Sequence, residues 1–163
     1  MVIYRVGGIF MLEYKIEELK LENLKEAIEV IETTFLKFEA PDYSKEGVEN
    51  FFKFANYEII KENLNKNMKI YVAKVNEKIV GVIGYRDNSH INLLFVLEEY
   101  QHNGIAKALY NLVIENCKNS STKMVTVNSS PYAHNVYLKF GFIDDNQMQE
   151  VDGIKFYPMH KKI

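Results

Sequence analysis

Residues 90–107, HINLLFVLEEYQHNGIAK, contain the clearest structural pattern in the chain. The first eight of these residues form a short apolar run, which is typical of a buried strand. The run leads into a polar turn around Gly104, and from Ile105 onward apolar residues recur at helical spacing. The sequence therefore predicts a strand, a tight glycine turn and a helix in direct succession.

A glycine turn that opens a helix is well suited to binding an anion. The amides of the first helical turn have no carbonyl partner in the helix, and the helix dipole adds a partial positive charge. A phosphate or pyrophosphate therefore binds at such a turn without a cationic side chain. The same pattern also suits a purely structural connection, so the turn alone does not identify a ligand.

Two motifs resemble those of a known family, the GCN5-related N-acetyltransferases (GNAT). Gln101-x-x-Gly104-x-Ala106 resembles the family signature Gln/Arg-x-x-Gly-x-Gly/Ala, and it has neither the Gly-Lys-Ser/Thr end of a Walker loop nor a dinucleotide fingerprint. Residues 129–142, SSPYAHNVYLKFGF, resemble the second motif of the family. The order of the predicted elements also agrees with that family over most of the chain.

The order of elements predicts the fold class. Helices in the first third are followed by antiparallel hairpins, a strand–helix–strand crossover and a closing hairpin at Asp152-Gly153. We expect an α+β fold with a mixed, largely antiparallel central sheet flanked by helices, and the resemblance implies the acyl-CoA N-acyltransferase fold. Residues 1–163 should form a single domain whose first strand is Leu12–Leu19. Residues 1–11 are either an N-terminal extension or an additional strand.

Composition narrows the function further. The chain has 163 residues, with 20 basic and 22 acidic side chains, so it lacks the basic excess of nucleic-acid-binding domains. Cys117 is its only cysteine, which excludes an internal disulfide and agrees with a reducing, cytoplasmic location. The apolar N-terminal stretch is too short to span a bilayer, which takes about 20 residues. We expect a cytoplasmic protein that binds neither nucleic acid nor membrane.

The resemblance implies acetyl-CoA as co-substrate and no metal. In the family, the amides of the turn hold the pyrophosphate of coenzyme A, and the preceding strand runs beside the pantetheine arm. A backbone N–H near Val96 or Leu97 would polarise the thioester carbonyl. By position, the cofactor-binding residues are Leu94, Phe95, Val96, Gln101, His102, Asn103, Gly104, Ile105, Ala106, Lys107, Asn135 and Tyr137.

Catalytic residues are predicted with unequal support. Tyr137 occupies the family's tyrosine position, which implies a general acid for the leaving thiolate, although its spacing also suits a core aromatic. A phenol of ordinary pKa about 10 is protonated at neutral pH and can serve as an acid. No carboxylate lies within residues 91–97, and His90 is the candidate base, with a structural histidine as the alternative.

The loop between the first two helices should contact the acceptor, because it does so in the family. Its candidate substrate-binding residues are Phe35, Phe38, Glu39 and Tyr43, whose single carboxylate would attract an amine; ordinary packing at the helix ends is the alternative. The predicted function is transfer of an acetyl group from acetyl-CoA to a primary amine of a small molecule or peptide. The alternative is a catalytically silent acyl-CoA-binding regulatory module. A homodimer is possible.

Overall fold

The computed structural model describes residues 3–6 and 9–163, with side chains from Met11 onward. The described helices are α1 (Leu24–Phe38), α2 (Lys45–Phe54), α3 (Tyr57–Leu64), α4 (Ile105–Asn119) and α5 (His134–Lys139). The described strands are β1 (Ile3–Val6), β2 (Ile9–Leu12), β3 (Lys15–Glu18), β4 (Met68–Val75), β5 (Lys78–Arg86), β6 (His90–Val96), β7 (Met124–Ser129), β8 (Ile143–Asp144), β9 (Gln149–Val151) and β10 (Ile154–Lys162). None of these helices is long and apolar enough to cross a membrane.

The central sheet has the order β3-β4-β5-β6-β7-β10-β8, and β9 also pairs with β10. Each neighbouring pair is antiparallel except β6 and β7, which are parallel and are joined by the crossover helix α4. This arrangement confirms the predicted α+β class with a mixed, largely antiparallel sheet. β1 and β2 form a separate antiparallel hairpin.

Two predictions for the N-terminal part need correction. The predicted first strand, Leu12–Leu19, is divided: Leu12 ends β2, and the strand that joins the central sheet is only Lys15–Glu18. The predicted additional strand before it is two short strands, and residues 7 and 8 between them lie outside the described residues. Asn23 directly precedes α1, but its side chain makes no capping hydrogen bond.

Helices cover both faces of the sheet, and the alternation of side chains along β5 shows which helix lies on which face. Gly81 faces α4, because a Cβ at this glycine would lie 3.0 Å from Ile105. Its neighbour Val82 therefore faces the other way, together with its cross-strand partner Phe95. Phe95 makes an edge contact with Phe51 of α2 at 6.2 Å between ring centroids. The first helices thus occupy the face opposite α4.

The β9–β10 hairpin packs directly against α2. Asp152 and Gly153 have φ angles of 51° and 79°, the left-handed conformations of the predicted two-residue turn. The Gly153 carbonyl accepts a hydrogen bond from the Ser44 amide at 3.3 Å. A Cβ on Gly47 would lie only 2.0 Å from that carbonyl oxygen, so only glycine fits at this position of α2, where the hairpin crosses the helix. The Ser44 side chain also caps α2, accepting a hydrogen bond from the Gly47 amide at 3.1 Å.

The two parallel strands separate soon after they meet. β6 and β7 pair only at His90–Thr126 and Ile91–Val127 in the described ladder. β6 then continues to Val96 beside β5, and β7 continues to Ser129 beside β10. The outer edge of β6 beyond Ile91 is therefore open, and this gap in the sheet positions the site described next.

Candidate active site

The open edge of β6 offers backbone groups for a ligand that pairs as an added strand would. In an antiparallel ladder, successive residues direct their N–H groups to opposite edges. The Leu97 amide donates to the Val80 carbonyl on β5 at 2.9 Å. Leu97 is thereby excluded as the donor that polarises a thioester, and the amide of Val96, directed to the opposite edge, is the one available.

Gln101 connects the strand to the turn. Its side-chain Nε2 donates to the Val96 carbonyl at 2.9 Å. The side-chain amide of Asn103 donates to two carbonyls of the same turn, those of Tyr100 at 3.1 Å and Gln101 at 3.0 Å. These bonds hold the turn in shape, which is the role that the structure shows for Gln101 and Asn103.

The turn presents backbone amides to an open space. His102 and Gly104 have positive φ angles of 62° and 79°, and the first helical bond of α4 joins the Ala108 amide to the Gly104 carbonyl at 3.0 Å. The amides of residues 105–107 therefore have no carbonyl partner within the helix. A Cβ placed on Gly104 would meet no atom within 4 Å. This free space beside unpaired amides fits a pyrophosphate group.

Side chains in the cofactor-binding set differ in what they offer. The Ile105 side chain is buried in the core, so only its backbone faces the turn. His102, Asn103 and Lys107 are exposed, and Ala106 is half-buried. Asn135 is exposed on α5, and the structure does not place it on the wall of the cavity described next.

A cavity of about 150 Å³ lies at the gap between β6 and β7. Residues from six parts of the chain line it: Glu39, Tyr43, Phe51, Phe54, Ile91, Asn92, Leu94, Phe95, Val127, Asn128, Ser129, Ser130, Ala133, Tyr137 and Ile154. The lining includes Leu94 and Phe95 of the predicted cofactor strand, Glu39 and Tyr43 of the predicted acceptor loop, and Tyr137. The structure thus brings three separately predicted groups to one cavity.

Tyr137 is 4% exposed and is held on α5 by aromatic neighbours. Its ring meets Phe142 edge to face at 5.4 Å and Phe140 at 6.2 Å. Burial, with a further contribution from the negative charge of Glu39, raises the pKa of Tyr137 above its ordinary value of 10.0. The hydroxyl therefore keeps its proton throughout the physiological pH range.

Glu39 is a buried carboxylate, 9% exposed, at the C-terminal end of α1. The Ser130 hydroxyl donates to Glu39 Oε1 at 3.0 Å and itself accepts from the Ala133 amide at 3.2 Å. Burial raises the pKa of Glu39 from 4.5 to about 7, and the bond from Ser130 opposes that rise. Glu39 therefore changes its charge close to neutral pH.

Two of the four predicted acceptor residues are not on the cavity wall. Phe35 is completely buried and stacks on Phe51 at 3.7 Å, so it belongs to the core. Phe38 stacks on Tyr132 at 4.8 Å, away from the lining. In the sequence, the apolar character of Phe35 and Phe38 suits a pocket as well as a core. In the structure, α1 directs Phe35 into the core. Tyr43 does line the cavity, and burial raises the pKa of its phenol above the ordinary range.

His90, the predicted base, lies where β6 and β7 are still paired. Its Nδ1 is 2.7 Å from the Thr126 hydroxyl, and it is absent from the cavity lining. Burial, followed by the nearby charge of Arg86, lowers the pKa of His90 to about 4. This placement supports the structural alternative for His90 rather than contact with an acceptor.

Sequence reasoning missed several residues of the lining. Ser130 lies within the second motif, but nothing in the sequence connects it to Glu39, 91 positions earlier. Asn92 has a buried Oδ1 without a hydrogen-bond partner among the described residues. Phe51 and Phe54 of α2 also line the cavity, and no motif in the sequence assigns them to a site. The described residues contain no group of three or more His, Cys, Asp and Glu side chains that could hold a metal ion.

Comparison with known proteins agrees with this geometry. A family model described as an acetyltransferase (GNAT) domain matches residues 39–163. Its range includes the open strand, the turn, α5 and the closing hairpin. A comparison with curated protein sequences finds no match to this chain.

Solved structures resemble the chain over almost its whole length. A GCN5-related N-acetyltransferase from Rhodopseudomonas palustris has a TM-score of 0.83 at 17% identity, with 96% of this chain and 100% of that chain covered. The PaiA N-acetyltransferase from Thermoplasma acidophilum, in complex with coenzyme A, has a TM-score of 0.78 at 22% identity, covering 93% and 100%. The ribosomal-protein-S18-alanine N-acetyltransferase from Escherichia coli has a TM-score of 0.67 at 14% identity, covering 93% and 94%. At these identities the likeness establishes the fold.

Proposed function

This chain belongs to the GNAT acetyltransferase family, and we propose that it transfers an acetyl group from acetyl-CoA to a primary amine of a small molecule or peptide. The amine would attack the thioester directly, with Tyr137 as the general acid. One observation carries the proposal: the open edge of β6, which would receive the pantetheine arm, and the buried Tyr137 side chain border a single cavity.

The chain's own groups supply what acetyl transfer needs. The amides of residues 105–107 would hold the pyrophosphate, and the Val96 amide would donate to the thioester oxygen as negative charge develops on it. Tyr137 would protonate the departing thiolate. Burial raises the pKa of its phenol, so it is a weak acid, but the same burial raises the proton affinity of a thiolate placed beside it.

The size and chemistry of the cavity favour a small or narrow acceptor group. About 150 Å³ is room for an amine and a few neighbouring atoms, and the wall combines phenylalanine rings with one carboxylate. A peptide would therefore enter with its amine alone, leaving the remaining residues outside. The ribosomal-protein-S18-alanine enzyme shows that this fold occurs in an enzyme named for a protein acceptor.

A catalytically silent acyl-CoA-binding module is the second candidate. It would use the same turn and open strand but would have no need of an acid in the cavity. The buried position of Tyr137, with its hydroxyl's proton retained, favours the enzyme over the module.

The variant Tyr137→Phe tests the proposal. Without the hydroxyl, turnover measured by thiol release with an amine panel should fall by about 100-fold, because general acid catalysis contributes about that much. Acetyl-CoA affinity measured by calorimetry should stay within about twofold. The matched control is Tyr110→Phe, which removes another buried hydroxyl from α4, outside the cavity lining. Unchanged turnover in Tyr137→Phe would remove Tyr137 from the mechanism.

The wild-type protein distinguishes the two candidates in the same assay. Micromolar binding of acetyl-CoA with amine-dependent thiol release supports the enzyme. Binding without release for any amine supports the silent module. Absence of binding would contradict both.

A further inference from the structure

We propose that Glu39 is the catalytic base of the reaction, accepting the proton of the acceptor ammonium in the cavity that it shares with Tyr137. The proposal rests on the proposed function and assigns the step for which the sequence offered only His90. Glu39 was predicted as a residue that attracts the amine. Its position and its surroundings support the larger role of removing the proton.

The cavity wall offers few candidates for a base. Its ionisable side chains are Glu39, Tyr43 and Tyr137. Burial raises the pKa of both phenols, which keeps them protonated and unable to accept a proton at neutral pH. Glu39 is the remaining group of the wall, and an ammonium in a space of about 150 Å³ would lie close to it.

A chain of hydrogen bonds through Ser130 and Ala133 connects Glu39 to Tyr137. The Ser130 hydroxyl donates to Glu39 and accepts from the Ala133 amide, and the Ala133 carbonyl accepts from the Tyr137 amide at 3.2 Å. Because Ser130 has one proton and gives it to Glu39, the bonded carboxylate oxygen acts as an acceptor. This arrangement favours the ionised carboxylate and fixes it relative to the acid on α5.

The groups around Glu39 determine the pH at which it is ready to act. Burial raises its pKa to about 7, and the negative charge of Asp42, three residues later, adds to that rise. Ser130 from the loop before α5 lowers the pKa, and the charge of Glu39 in turn raises the pKa of Tyr43 and Tyr137. The cavity thus combines a carboxylate that loses its proton near neutral pH with phenols that keep theirs, which is the pairing expected of a base and an acid.

The complete reaction balances protons as follows. Glu39 takes one proton from the ammonium, which leaves the nitrogen lone pair free. That lone pair forms the C–N bond to the thioester carbon, and the carbonyl electron pair moves to oxygen, beside the Val96 amide. When the carbonyl forms again, the C–S bond breaks and its electron pair leaves on sulfur. Tyr137 gives its proton to that sulfur and regains one from the new amide nitrogen, while Glu39 releases its proton to solvent.

The pH profile of kcat for Glu39→Gln, with the amine that the wild type uses best, tests the assignment. In the wild type, kcat should rise with pH through about 7 as Glu39 loses its proton. In Glu39→Gln, kcat should fall by about 100-fold and the rise near pH 7 should disappear. Glu39→Asp, which keeps a carboxylate, should recover part of the rate.

A second acceptor separates proton removal from simple attraction of the amine. An alkoxyamine is already neutral at pH 7, so it needs no base before attack. The ratio of wild-type to Glu39→Gln rates should therefore be at least about tenfold smaller with an alkoxyamine than with an alkylamine. The control Glu49→Gln removes an exposed carboxylate of α2 outside the cavity lining and should change kcat by no more than about twofold.

Two results would overturn the assignment. If Glu39→Gln raises KM for the amine but leaves kcat and its pH dependence unchanged, Glu39 binds the ammonium and another group takes the proton. If the rate ratio is the same for both acceptors, proton removal is not what the carboxylate supplies. Neither result affects the proposed function, which fails only if the wild type does not acetylate any amine.

Discussion

The two halves of the site are built in different ways. The turn at residues 101–107 offers backbone groups: amides at the start of α4 face free space, and the buried side chains nearby belong to the core. The cavity is built of side chains, with Glu39 and Tyr43 from the loop after α1, Tyr137 from α5, and Ser130 bonded to Glu39. A backbone site depends on local conformation and on glycine. A side-chain site depends on how distant elements pack together.

This difference predicts how each half responds to mutation. In the turn, a single carbon added in the free space should weaken ligand binding and leave the packing of the protein nearly unchanged. At the cavity, the same carbon placed between α2 and the β9–β10 hairpin should disturb packing first and the acceptor second. Coenzyme binding and acceptor binding should therefore separate cleanly.

Gly104→Ala should produce the largest effect on binding. The new Cβ would point into the space beside the free amides, where the pyrophosphate would approach, and the φ angle of 79° disfavours any side chain. We expect acetyl-CoA affinity, measured by calorimetry, to fall by about 100-fold, equivalent to about 3 kcal/mol. The free energy of unfolding should fall by about 1 kcal/mol from backbone strain.

Gly141→Ala is the matched control for Gly104→Ala. Gly141 has a φ angle of 90°, and a Cβ there would only approach the Lys161 side chain at 3.4 Å. It should lose a similar free energy of unfolding while keeping acetyl-CoA affinity. An equal loss of affinity in both variants would mean that strain, and not the occupied space, weakens binding, and the turn would lose its assigned role.

Local patterns explain why much of the fold could be predicted from sequence. The strand, turn and helix of residues 90–107 occur in the predicted order, and Asp152-Gly153 forms the predicted hairpin turn. Ser44 caps α2 because a serine before a helix satisfies a free amide wherever the helix lies in the protein. Each of these features is determined by residues close together in the chain.

The cavity could be predicted only in part, because its members are distant in sequence. Its position in a loop makes Glu39 a candidate site residue, but its pKa depends on enclosure and on Ser130, which no spacing rule connects to it. For Phe35 the sequence leaves a pocket and the core open, because a phenylalanine at a helix end suits both, and the structure places it in the core. An ordinary histidine has a pKa suited to a general base, but burial beside β7 lowers the pKa of His90 to about 4.

Gly47→Ala tests the packed half of the comparison. Its Cβ would lie 2.0 Å from the Gly153 carbonyl oxygen, so either α2 or the β9–β10 hairpin must move. We expect the free energy of unfolding to fall by about 2 kcal/mol in denaturant titrations, since overpacking commonly costs this much. KM for the amine should rise several-fold, because Ile154 of the hairpin lines the cavity.

Glu49→Ala, an exposed position on the same helix, is the control for Gly47→Ala and should leave both quantities nearly unchanged. Acetyl-CoA affinity should remain within about twofold in Gly47→Ala, because the turn at residues 101–107 does not depend on that contact. If acetyl-CoA affinity falls as much as KM rises, the two halves are not independent and the comparison fails.

Glu39→Gln should change stability with an unusual sign. The pKa of Glu39 in the folded protein, about 7, lies above its ordinary value of 4.5, so its favourable contribution is complete below pH 4.5 and is lost as pH rises through 7. The shift corresponds to at most about 3 kcal/mol of unfolding free energy. The amide of the glutamine variant is also polar and buried, so only part of this free energy would be recovered. We expect Glu39→Gln to be more stable than the wild type by roughly 1 to 2 kcal/mol at pH 8 and to have no such gain at pH 4. Denaturant titrations across this range, with exposed Glu49→Gln as control, measure the difference. A gain that does not depend on pH would mean that Glu39 does not titrate in the cavity. The burial of its charge would then not be what lowers the stability of the wild type.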